Sequence, residues 1–361
     1  MLDDIRVFPV DPPAFTRGMN GDIVALRDGR LLYAFAQAPD GPPGILACYS
    51  DDKGQTWGPP RVLLPPPDPR FTSPDGENLA HPSFLRRRNG QLMMAYIWLV
   101  GGTDPYAHSY YRLSADEGET WGEPKVLTPA PERCSMVHNS KLLRLSDGRI
   151  LAPAEIRVDL ELGNDHRGFV SAAWHSDDDG YTWGRSANVV DMLSQGVEAQ
   201  EPHLVELKDG RVMMLFRTYS GYVGRSYSDD RGRSWSPGEP IETLPLPSNS
   251  SALNVGRLPS TGDLLLVRSI GNGGREPDEH PRVYNRLDGN KHLVRTPLTA
   301  MISQDEGGSW SNERILAGDP YGDYGYPSVL HLDEITLISY HALDGLHVAR
   351  VSPDWFYGGI R

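Results

Sequence analysis

The sequence predicts an all-β fold in which residues 1–361 form a single six-bladed β-propeller domain. Two interleaved short repeats support this prediction, because each marks a turn between strands and together they define six similar units. A third observation agrees with them, since no stretch of useful length shows the apolar periodicity of a helix. Length alone would suggest more than one domain, but a repeat architecture overrides that estimate.

The first repeat is an eight-residue pattern, Ser-x-Asp-x-Gly-x-Thr/Ser-Trp, which we call the box. Its aspartate can accept hydrogen bonds from turn amides, and its glycine can adopt a positive φ at no steric cost. Its tryptophan can anchor the turn by burying a large ring. Each box is therefore predicted to form a hairpin turn after a short strand. The five copies are residues 50–57, 114–121, 176–183, 228–235 and 303–310.

The second repeat is a turn that is followed by an apolar strand. Continuous apolar runs such as residues 92–98 are typical of inner strands buried on both faces. Because six such turns accompany only five boxes, a sixth box is predicted to have decayed near residues 351–355, with the two chain ends meeting in one blade. Clear copies of the second repeat begin at residues 27, 88, 146, 208 and 260, and a degenerate copy covers 332–337.

Composition and charge exclude several classes of protein. The net charge of -13 argues against a nucleic-acid surface, because phosphate binding needs clustered Lys and Arg, although a local arginine cluster can still bind a small anion. No apolar run is long enough to cross a membrane. Cys48 and Cys134 have no metal-ligand spacing, so neither a disulfide-held fold nor a metal site is predicted. Residues 1–4 resemble no secretory leader, and a cytoplasmic location is expected.

The five boxes resemble the Asp-boxes, or BNR repeats, of the sialidase (neuraminidase) superfamily, and the resemblance extends over nearly the whole chain. It implies boxes on the rim of the propeller and an active site at its axis. The boxes therefore indicate the fold, and the chemistry has to be argued from other residues. In this superfamily the site contains three arginines that bind a substrate carboxylate, an acidic aspartate, and a nucleophilic tyrosine paired with a glutamate.

The resemblance suggests residues for the nucleophile pair. Glu201 lies in a segment similar to the one that carries the catalytic glutamate, just ahead of an inner strand, and Arg217 closes the same strand hairpin. Tyr326 resembles the nucleophile, although Pro327 departs from the usual Gly/Ala-Tyr-Ser. The competing residues are Tyr321 and Tyr324 for the nucleophile, and Glu198 and Glu206 for its base.

The remaining candidates come from local context. Arg295 resembles the third arginine, and Arg17 occupies the region of the first arginine without the family's Arg-Ile-Pro. Asp40 follows the first inner strand, where the family carries its acid, but its segment is also an ordinary turn. His81 and His138 are placed to line the pocket, although most single histidines are structural. Further possible pocket acids are Asp104, Glu155 and Asp165.

The chemistry explains why these residue types would be needed. Arginine binds a carboxylate with two hydrogen bonds and stays charged. A carboxylate nucleophile would be repelled by an acidic sugar, whereas a neutral tyrosine is not. Phenol is a poor nucleophile, so it needs an adjacent base. We therefore expect a retaining exo-glycosidase of the sialidase type that hydrolyses a terminal carboxylated sugar without a cofactor.

Two other functions stay open at this point. One is a hydrolase or lyase that acts on another acidic sugar, with His81 or His138 as the base. The other is a propeller that binds carbohydrate or protein without catalysis. Contact between Tyr326 and Glu201 would favour an enzyme, because a binding module has no need of such a pair.

Overall fold

The computed structural model of the protein is almost entirely β-structure, which confirms the predicted all-β class. In the described residues the helical segments are two short 3₁₀ turns, Leu193–Gln195 and Pro353–Tyr357. Neither is long and apolar enough to span a bilayer. The structure describes residues 1–11, 18–36, 44–65, 79–100, 106–132, 134–158, 168–218, 220–246, 251–270, 284–285, 291–292, 295–320 and 322–358.

The strands are numbered in chain order. The first nine are β1 (Leu2–Pro9), β2 (Gly21–Ala25), β3 (Leu31–Ala36), β4 (Ile45–Ser50), β5 (Arg61–Leu64), β6 (Leu79–Arg86), β7 (Leu92–Val100), β8 (Tyr106–Ser114) and β9 (Lys125–Val126). The next nine are β10 (Cys134–Met136), β11 (Leu143–Arg144), β12 (Ile150–Arg157), β13 (Phe169–Ser176), β14 (Gly184–Arg185), β15 (Gln200–Glu206), β16 (Val212–Arg217), β17 (Gly221–Ser228) and β18 (Glu239–Leu246). The last nine are β19 (Asn254–Arg257), β20 (Leu264–Ser269), β21 (Tyr284–Asn285), β22 (Lys291–His292), β23 (Leu298–Ser303), β24 (Ser311–Ala317), β25 (Gly325–His331), β26 (Thr336–Ala342) and β27 (Gly345–Val351).

These strands form antiparallel meanders that follow one another along the chain. Four sheets have four strands each, in the orders β2-β3-β4-β5, β15-β16-β17-β18, β19-β20-β23-β24 and β25-β26-β27-β1. A nine-stranded sheet contains one meander from β6 to β9 and another from β10 to β14, joined where β10 pairs in parallel with β8. The short strands β21 and β22 pair only with each other.

The first strand of the chain completes the last sheet. Leu2 of β1 lies opposite Val351 of β27, and the amino group of Met1 donates a hydrogen bond of 2.7 Å to Ser352 Oγ. The two ends therefore meet in one sheet, as the repeat count predicts. In the other sheets a box joins the third strand to the fourth, but here the fourth strand comes from the N-terminus. A sixth hairpin turn is not needed, and residues 353–357 form a 3₁₀ turn instead.

Neighbouring sheets pack through apolar side chains that alternate along each inner strand. On β3, Tyr33 and Phe35 pack in one buried cluster with Leu337 of the last sheet. Leu32 of the same strand packs on its other face with Met94 of β7. Because successive side chains of a strand point to opposite faces, β3 can be buried on both sides. The first sheet therefore lies between the β6–β9 meander and the last sheet.

The boxes fold as the sequence predicts. In box 50–57, Ser50 Oγ accepts a hydrogen bond of 2.9 Å from Gly54 N, and Gly54 has a φ of 81°. The two carboxylate oxygens of Asp52 accept hydrogen bonds from Thr56 N at 2.9 Å and Thr56 Oγ1 at 2.6 Å. Trp57 Nε1 donates to Gly54 O at 3.2 Å. The serine and aspartate contacts recur in the other four boxes.

In four of the five boxes the side chain before the glycine makes a contact that the sequence did not reveal, and we call these contacts rim links. Glu306 accepts a hydrogen bond of 2.8 Å from Lys208 N in the preceding sheet. The same carboxylate accepts two from Arg257, at 2.8 and 2.6 Å. Glu117 and Asp179 make equivalent contacts, while Arg231 reverses the polarity and pairs with two acids. Each of these boxes is thus fixed to the sheet before it.

Candidate active site

The candidate site is built on a backbone feature that three meanders share. In each, the first strand contains a bulge at its start, and the register with the second strand shifts there. The residue at the bulge has a positive φ of 55° for His81, 49° for Glu201 and 50° for Tyr326. Such values are uncommon outside glycine, and bulges of this kind re-aim a side chain. Each of these residues precedes a proline, so Pro327 repeats a local pattern.

The bulges bring Tyr326 and Glu201 into direct contact. Tyr326 Oη donates a hydrogen bond of 2.5 Å to Glu201 Oε1. Arg217, at the end of β16, donates from Nη1 to the same oxygen at 3.3 Å. The Arg295 guanidinium lies 5.7 Å from the centre of the Tyr326 ring. All four side chains are largely buried or partly buried, so the structure gathers four of the predicted site residues in one enclosed cluster.

The charges around this pair keep the proton on the tyrosine. Burial raises the pKa of Glu201, but the charges of Arg217 and His138 and the Tyr326 hydrogen bond outweigh it and lower that pKa. Burial and the neighbouring Glu201 charge raise the pKa of Tyr326. The resting pair is therefore a neutral phenol that donates to an ionised carboxylate. An adjacent base of this kind is what a weak hydroxyl nucleophile requires.

Arg295 is held from its backbone. Its N–H donates a hydrogen bond of 2.9 Å to Asp323 Oδ1, and its carbonyl accepts one of 2.8 Å from Tyr324 N. These contacts tie the segment ahead of β23 to the segment that leads into β25. The chain segment that leads into Tyr326 thus holds Arg295 beside the Tyr326 ring.

His81 and His138 line the cluster beside Tyr326, and we call this pair of rings the histidine wall. Their rings meet edge to face with centroids 4.4 Å apart. The centroid of Tyr326 lies 5.4 Å from that of His81 and 6.3 Å from that of His138, with the last two rings nearly parallel. Burial, followed by the charge of His138, lowers the pKa of His81 well below its usual range. Asn20 and Asn139 support this wall, since both contact the His81 ring.

Glu155 contacts both His138 and the backbone of Glu201. One of its oxygens lies 3.0 Å from His138 Nε2, and the other accepts a hydrogen bond of 3.0 Å from Glu201 N. Glu155 lies opposite Met136 in the pairing of β12 with β10, and only 6% of its surface is exposed. A single carboxylate therefore lies beside a histidine ring and also accepts a hydrogen bond from the backbone of the proposed base. The sequence marked Glu155 only as a possible pocket acid.

Two buried charged groups beneath the bulges were missed by the sequence reasoning. Lys141 Nζ donates hydrogen bonds to Leu253 O at 2.9 Å and to Glu201 O at 3.4 Å, and burial lowers its pKa to about 7. Asp22 accepts a hydrogen bond of 2.8 Å from Phe84 N, and burial raises its pKa to about 7. Nothing local in the sequence distinguishes these residues from exposed ones. They matter because they join the inner strands of different sheets beneath the cluster.

The competing residues lie elsewhere in the structure. Tyr324 packs in the core, where its ring centroid lies 5.8 Å from that of Tyr340. Glu206 pairs with Arg231 at 2.8 Å in a rim link. Glu198 accepts a backbone hydrogen bond of 2.9 Å ahead of β13. None of the three makes the tyrosine–glutamate contact that Tyr326 and Glu201 make.

Some predicted site residues lie outside the described residues, so their positions stay predictions. For the arginine cluster this concerns Arg17, and for the acid it concerns Asp40. Within the described ranges, no group of three or more His, Cys, Asp or Glu side chains is arranged to hold a metal ion. The other candidates from the sequence that lie outside the described ranges are Tyr321, Asp104 and Asp165.

Comparison with known proteins identifies the family of this chain. Residues 28–338 match the model of the BNR repeat-like domain family. A sialidase of Micromonospora viridifaciens is 30% identical to this chain over 370 residues, which cover 96% of this chain and 52% of the relative. The chain thus spans about half the length of that sialidase.

Solved structures show the same fold at lower identity. A protein of unknown function from Dyadobacter fermentans has a TM-score of 0.71 and 18% identity, covering 97% of this chain and 98% of its own. A Trypanosoma rangeli sialidase, in complex with 2,3-difluorosialic acid as a covalent intermediate, has a TM-score of 0.67 and 14% identity. That match covers 97% of this chain and 58% of the sialidase. At these identities the likeness shows the fold and not the chemistry.

Proposed function

Because this chain belongs to the BNR repeat-like domain family within the sialidase superfamily, we propose that it is a retaining exo-glycosidase for a terminal carboxylated sugar. The observation that carries the proposal is the 2.5 Å hydrogen bond from Tyr326 Oη to Glu201 Oε1, with Arg217 on the same oxygen. A protein that only bound carbohydrate would have no use for a buried phenol poised on an ionised carboxylate. The contact therefore favours an enzyme over a binding module.

The proposed reaction assigns a task to each arginine and to both members of the tyrosine–glutamate pair. Arg217 and Arg295 bind the substrate carboxylate, with Arg17 as the proposed third arginine. The Tyr326 oxygen forms a bond to the anomeric carbon while its proton passes to Glu201, and the bond from that carbon to the leaving-group oxygen breaks as Asp40, the proposed acid, protonates that oxygen. Water then displaces the tyrosine from the sugar and gives a proton to Asp40, while the proton on Glu201 returns to the Tyr326 oxygen. Two displacements at the same carbon retain its configuration.

The electrostatics dictate how the proton moves. Because the pKa of Tyr326 is raised and that of Glu201 is lowered, a free phenolate is not formed in the resting site. The proton has to leave as the new carbon–oxygen bond forms, because bonding to carbon makes the O–H proton of the phenol strongly acidic. Arg217 holds Glu201 in the ionised form that can accept this proton.

The architecture that holds this site is inferred to be one six-bladed propeller. The four four-stranded sheets and the two meanders of the nine-stranded sheet supply six units. Apolar packing of the first sheet against the last supports closure into a ring. This arrangement would place the bulges of His81, Glu201 and Tyr326 around a common axis.

The test is covalent trapping of the nucleophile. The protein is incubated with 2,3-difluorosialic acid, and its intact mass and labelled peptide are measured. We expect one adduct on Tyr326, and no adduct after Tyr326→Phe, because phenylalanine lacks the oxygen that bonds to the sugar. Tyr324→Phe is the matched control, since Tyr324 lies in the core and should leave labelling unchanged. An adduct on any other residue would overturn the assignment.

A substrate panel tests the charge of the sugar. Aryl glycosides of a sialic acid, a uronic acid and a neutral hexose are compared with carboxyl-reduced forms of the two acids. Preference for either acid over its reduced form supports the arginine cluster, and the ratio between the acids identifies the substrate class. Equal turnover of all five would remove the reason for a carboxylate-binding site.

A further inference from the structure

The proposed nucleophile and its base are held on different parts of the chain. Tyr326 and Glu201 are 125 positions apart and lie on β25 and β15, which belong to different sheets. Pairing between these two strands therefore does not set the distance from the phenol oxygen to the carboxylate. A turn at residues 139–141, between β10 and β11, connects them, and we call it the anchor turn.

The bulges create a need that the anchor turn can meet. On β15 the register with the second strand shifts across Glu201, and on β25 it shifts across Tyr326. Neither residue therefore has a counterpart opposite it in the strand ladder. Because a buried backbone carbonyl without a hydrogen-bond donor is costly, the carbonyls of both residues need donors from elsewhere in the molecule.

The anchor turn supplies a donor to each of these carbonyls. Asn139 Nδ2 donates a hydrogen bond of 3.1 Å to Tyr326 O. Two residues along the turn, Lys141 Nζ donates one of 3.4 Å to Glu201 O. Both side chains are buried. One short segment thus contacts the backbone of both members of the nucleophile pair.

The anchor turn is itself fixed from three directions. Asn139 Nδ2 also donates to Gly21 O of β2 at 3.0 Å, and Lys141 Nζ also donates to Leu253 O at 2.9 Å. The backbone N–H of Lys141 donates to Ser83 Oγ at 2.9 Å, and Ser83 lies on β6, the strand with the third bulge. The turn therefore contacts every strand that carries a bulge, and it cannot move without moving its neighbours.

The charge of Lys141 indicates a role at the site beyond folding. Burying an amino group is a costly way to provide donors to carbonyls, since a neutral amide would provide them with less desolvation. Burial lowers the pKa of Lys141 to about 7, while the charges of Glu201 and Glu155 oppose that change. The amino group therefore interacts with the carboxylates of the cluster as well as with the backbone beneath it.

We propose that Asn139 and Lys141 are positioning residues that hold Tyr326 and Glu201 at reacting distance, an inference that rests on the glycosidase function proposed above. They act through the backbone of the pair, because their hydrogen bonds go to the two bulge carbonyls. Their loss should slow bond formation and leave the binding of the sugar almost unchanged. A misplacement of about 1 Å between reacting groups can reduce a rate about 10²-fold.

The test separates bond formation from binding during the labelling of Tyr326 by 2,3-difluorosialic acid. Labelling joins Tyr326 Oη to the anomeric carbon, as fluoride leaves with the electron pair of its bond and the phenol proton passes to Glu201. Rates at several reagent concentrations give a maximal rate constant and the concentration that produces half of that rate. The rates are expressed per folded molecule, with the folded fraction taken from a melting curve.

Two variants remove the donors while nearly keeping the shape of the side chain. For Asn139→Leu and Lys141→Met we expect the maximal rate constant to fall about 10- to 10²-fold. The half-rate concentration should change less than about threefold, because an interaction that serves the transition state alone does not alter ground-state binding. Ser83→Ala is a milder variant that removes one hydroxyl from the support of the turn, and it should lower the same rate constant by a smaller factor.

Arg149→Met is the matched control. Arg149 is also a buried cation that donates to a carbonyl of another sheet, Arg231 O, at 3.1 Å. It directly precedes β12, at the opposite end of that strand from Glu155. We therefore expect lower stability in Arg149→Met and an unchanged maximal rate constant per folded molecule.

The outcomes distinguish the possible errors. If folded Asn139→Leu and Lys141→Met are labelled as fast as the wild type, the two residues do not position the pair. A higher half-rate concentration with an unchanged maximal rate constant would also overturn the inference, because the residues would then act on binding. If neither variant folds, an unchanged rate constant in Ser83→Ala has the same consequence.

An equal loss in Arg149→Met would show that the effect belongs to stability alone and would likewise overturn the inference. If the wild type forms no adduct on Tyr326, the proposed function itself fails, whatever the variants do.

Discussion

The box turns and the bulges at His81, Glu201 and Tyr326 are all short segments at the ends of strands, but they repeat in different ways. The boxes repeat their side chains and their hydrogen bonds, so that Ser50, Asp52 and Gly54 have counterparts in four other turns. The bulges repeat a positive φ and a following proline, while the side chain changes from histidine to glutamate to tyrosine. One region copies its residues, and the other copies only its backbone.

This difference separates the origin of the fold from the origin of the chemistry. A box satisfies its own turn within eight residues, so any copy can serve in any sheet. A bulge presents whichever side chain it carries to the centre, where residues from several sheets meet. The repeated backbone therefore supplies positions, and the unrepeated side chains supply a reaction. Substitutions in the two regions should accordingly affect different measurements.

The largest effect is expected at the centre. Glu201→Gln keeps an acceptor for the Tyr326 hydroxyl but cannot take its proton, so kcat/KM should fall about 10²- to 10⁴-fold. Thermal unfolding should still be cooperative, because the bulge is set by the backbone. Steady-state kinetics and a melting curve on the same sample check both points. A variant that lost activity only because it unfolded would give no information on the base and would show it in the melt.

A box substitution should have the opposite profile. Asp305 accepts hydrogen bonds from Ser309 N at 2.8 Å and Ser309 Oγ at 2.6 Å. Asp305→Ala removes them, and the free energy of unfolding should fall by about 1–3 kcal/mol. The free energy of unfolding of Asp305→Asn should lie between those of Asp305→Ala and the wild type, since asparagine keeps one side-chain oxygen. Activity per folded molecule should not change, and a loss of activity in fully folded Asp305→Ala would break the separation of regions.

The rim links should show a smaller effect. Glu306→Gln weakens the pairing with Arg257, and for a partly exposed ion pair we expect a loss of about 1 kcal/mol or less. A double-mutant cycle with Arg257→Met, measured by urea unfolding at low and high salt, isolates the pair. A coupling energy that vanished even at low salt would show that the links contribute geometry and not stability.

The last effect concerns pH, and Asp22 and the rim carboxylates should respond with opposite signs. Burial raises the pKa of Asp22 to about 7, so the folded protein binds a proton at Asp22 that the unfolded chain releases, and the contribution of Asp22 to stability should rise as pH falls from about 7 to about 4. Burial lowers the pKa values of His81, His203 and His331, and these histidines contribute in the opposite sense over the same range. Hydrogen bonds from Thr56 lower the pKa of Asp52 to about 2, and those from Arg257 do the same for Glu306. Stability from these carboxylates is present above about pH 4 and is lost as pH falls from about 4 to about 2.

Urea unfolding between pH 2 and pH 8 measures both slopes. Relative to the wild type, Asp22→Asn should lack the contribution that rises as pH falls from about 7 to about 4, whatever its own stability, and Glu306→Gln should lack one part of the loss below about pH 4. A profile for Asp22→Asn that matches the wild type would show that Asp22 does not titrate in this range.

How far the sequence predicts the molecule depends on how local each feature is. The box turns could be predicted because Ser50, Asp52 and Trp57 act within one short segment. Tyr326 and Glu201 could be placed by their positions ahead of inner strands. Glu155 and Lys141 could not be assigned their roles, because their contacts join residues that lie in different sheets. The proline that follows His81, Glu201 and Tyr326 is a signal in the sequence for the shared bulge, although Pro327 by itself departs from the family pattern.

The pairing of β1 with β27 has a consequence for how the chain acquires its structure during synthesis. The hydrogen bond between Tyr340 and Asp4 joins residues 336 positions apart, while most hairpins close within a few dozen residues. β1 is therefore synthesised before the other strands of this chain, whereas its pairing partner β27 is synthesised after them. Local hairpins can form as they emerge, but the last sheet cannot be completed co-translationally from its own segment. Until that pairing forms, the backbone groups of β1 that bond to β27 stay without their partner strand.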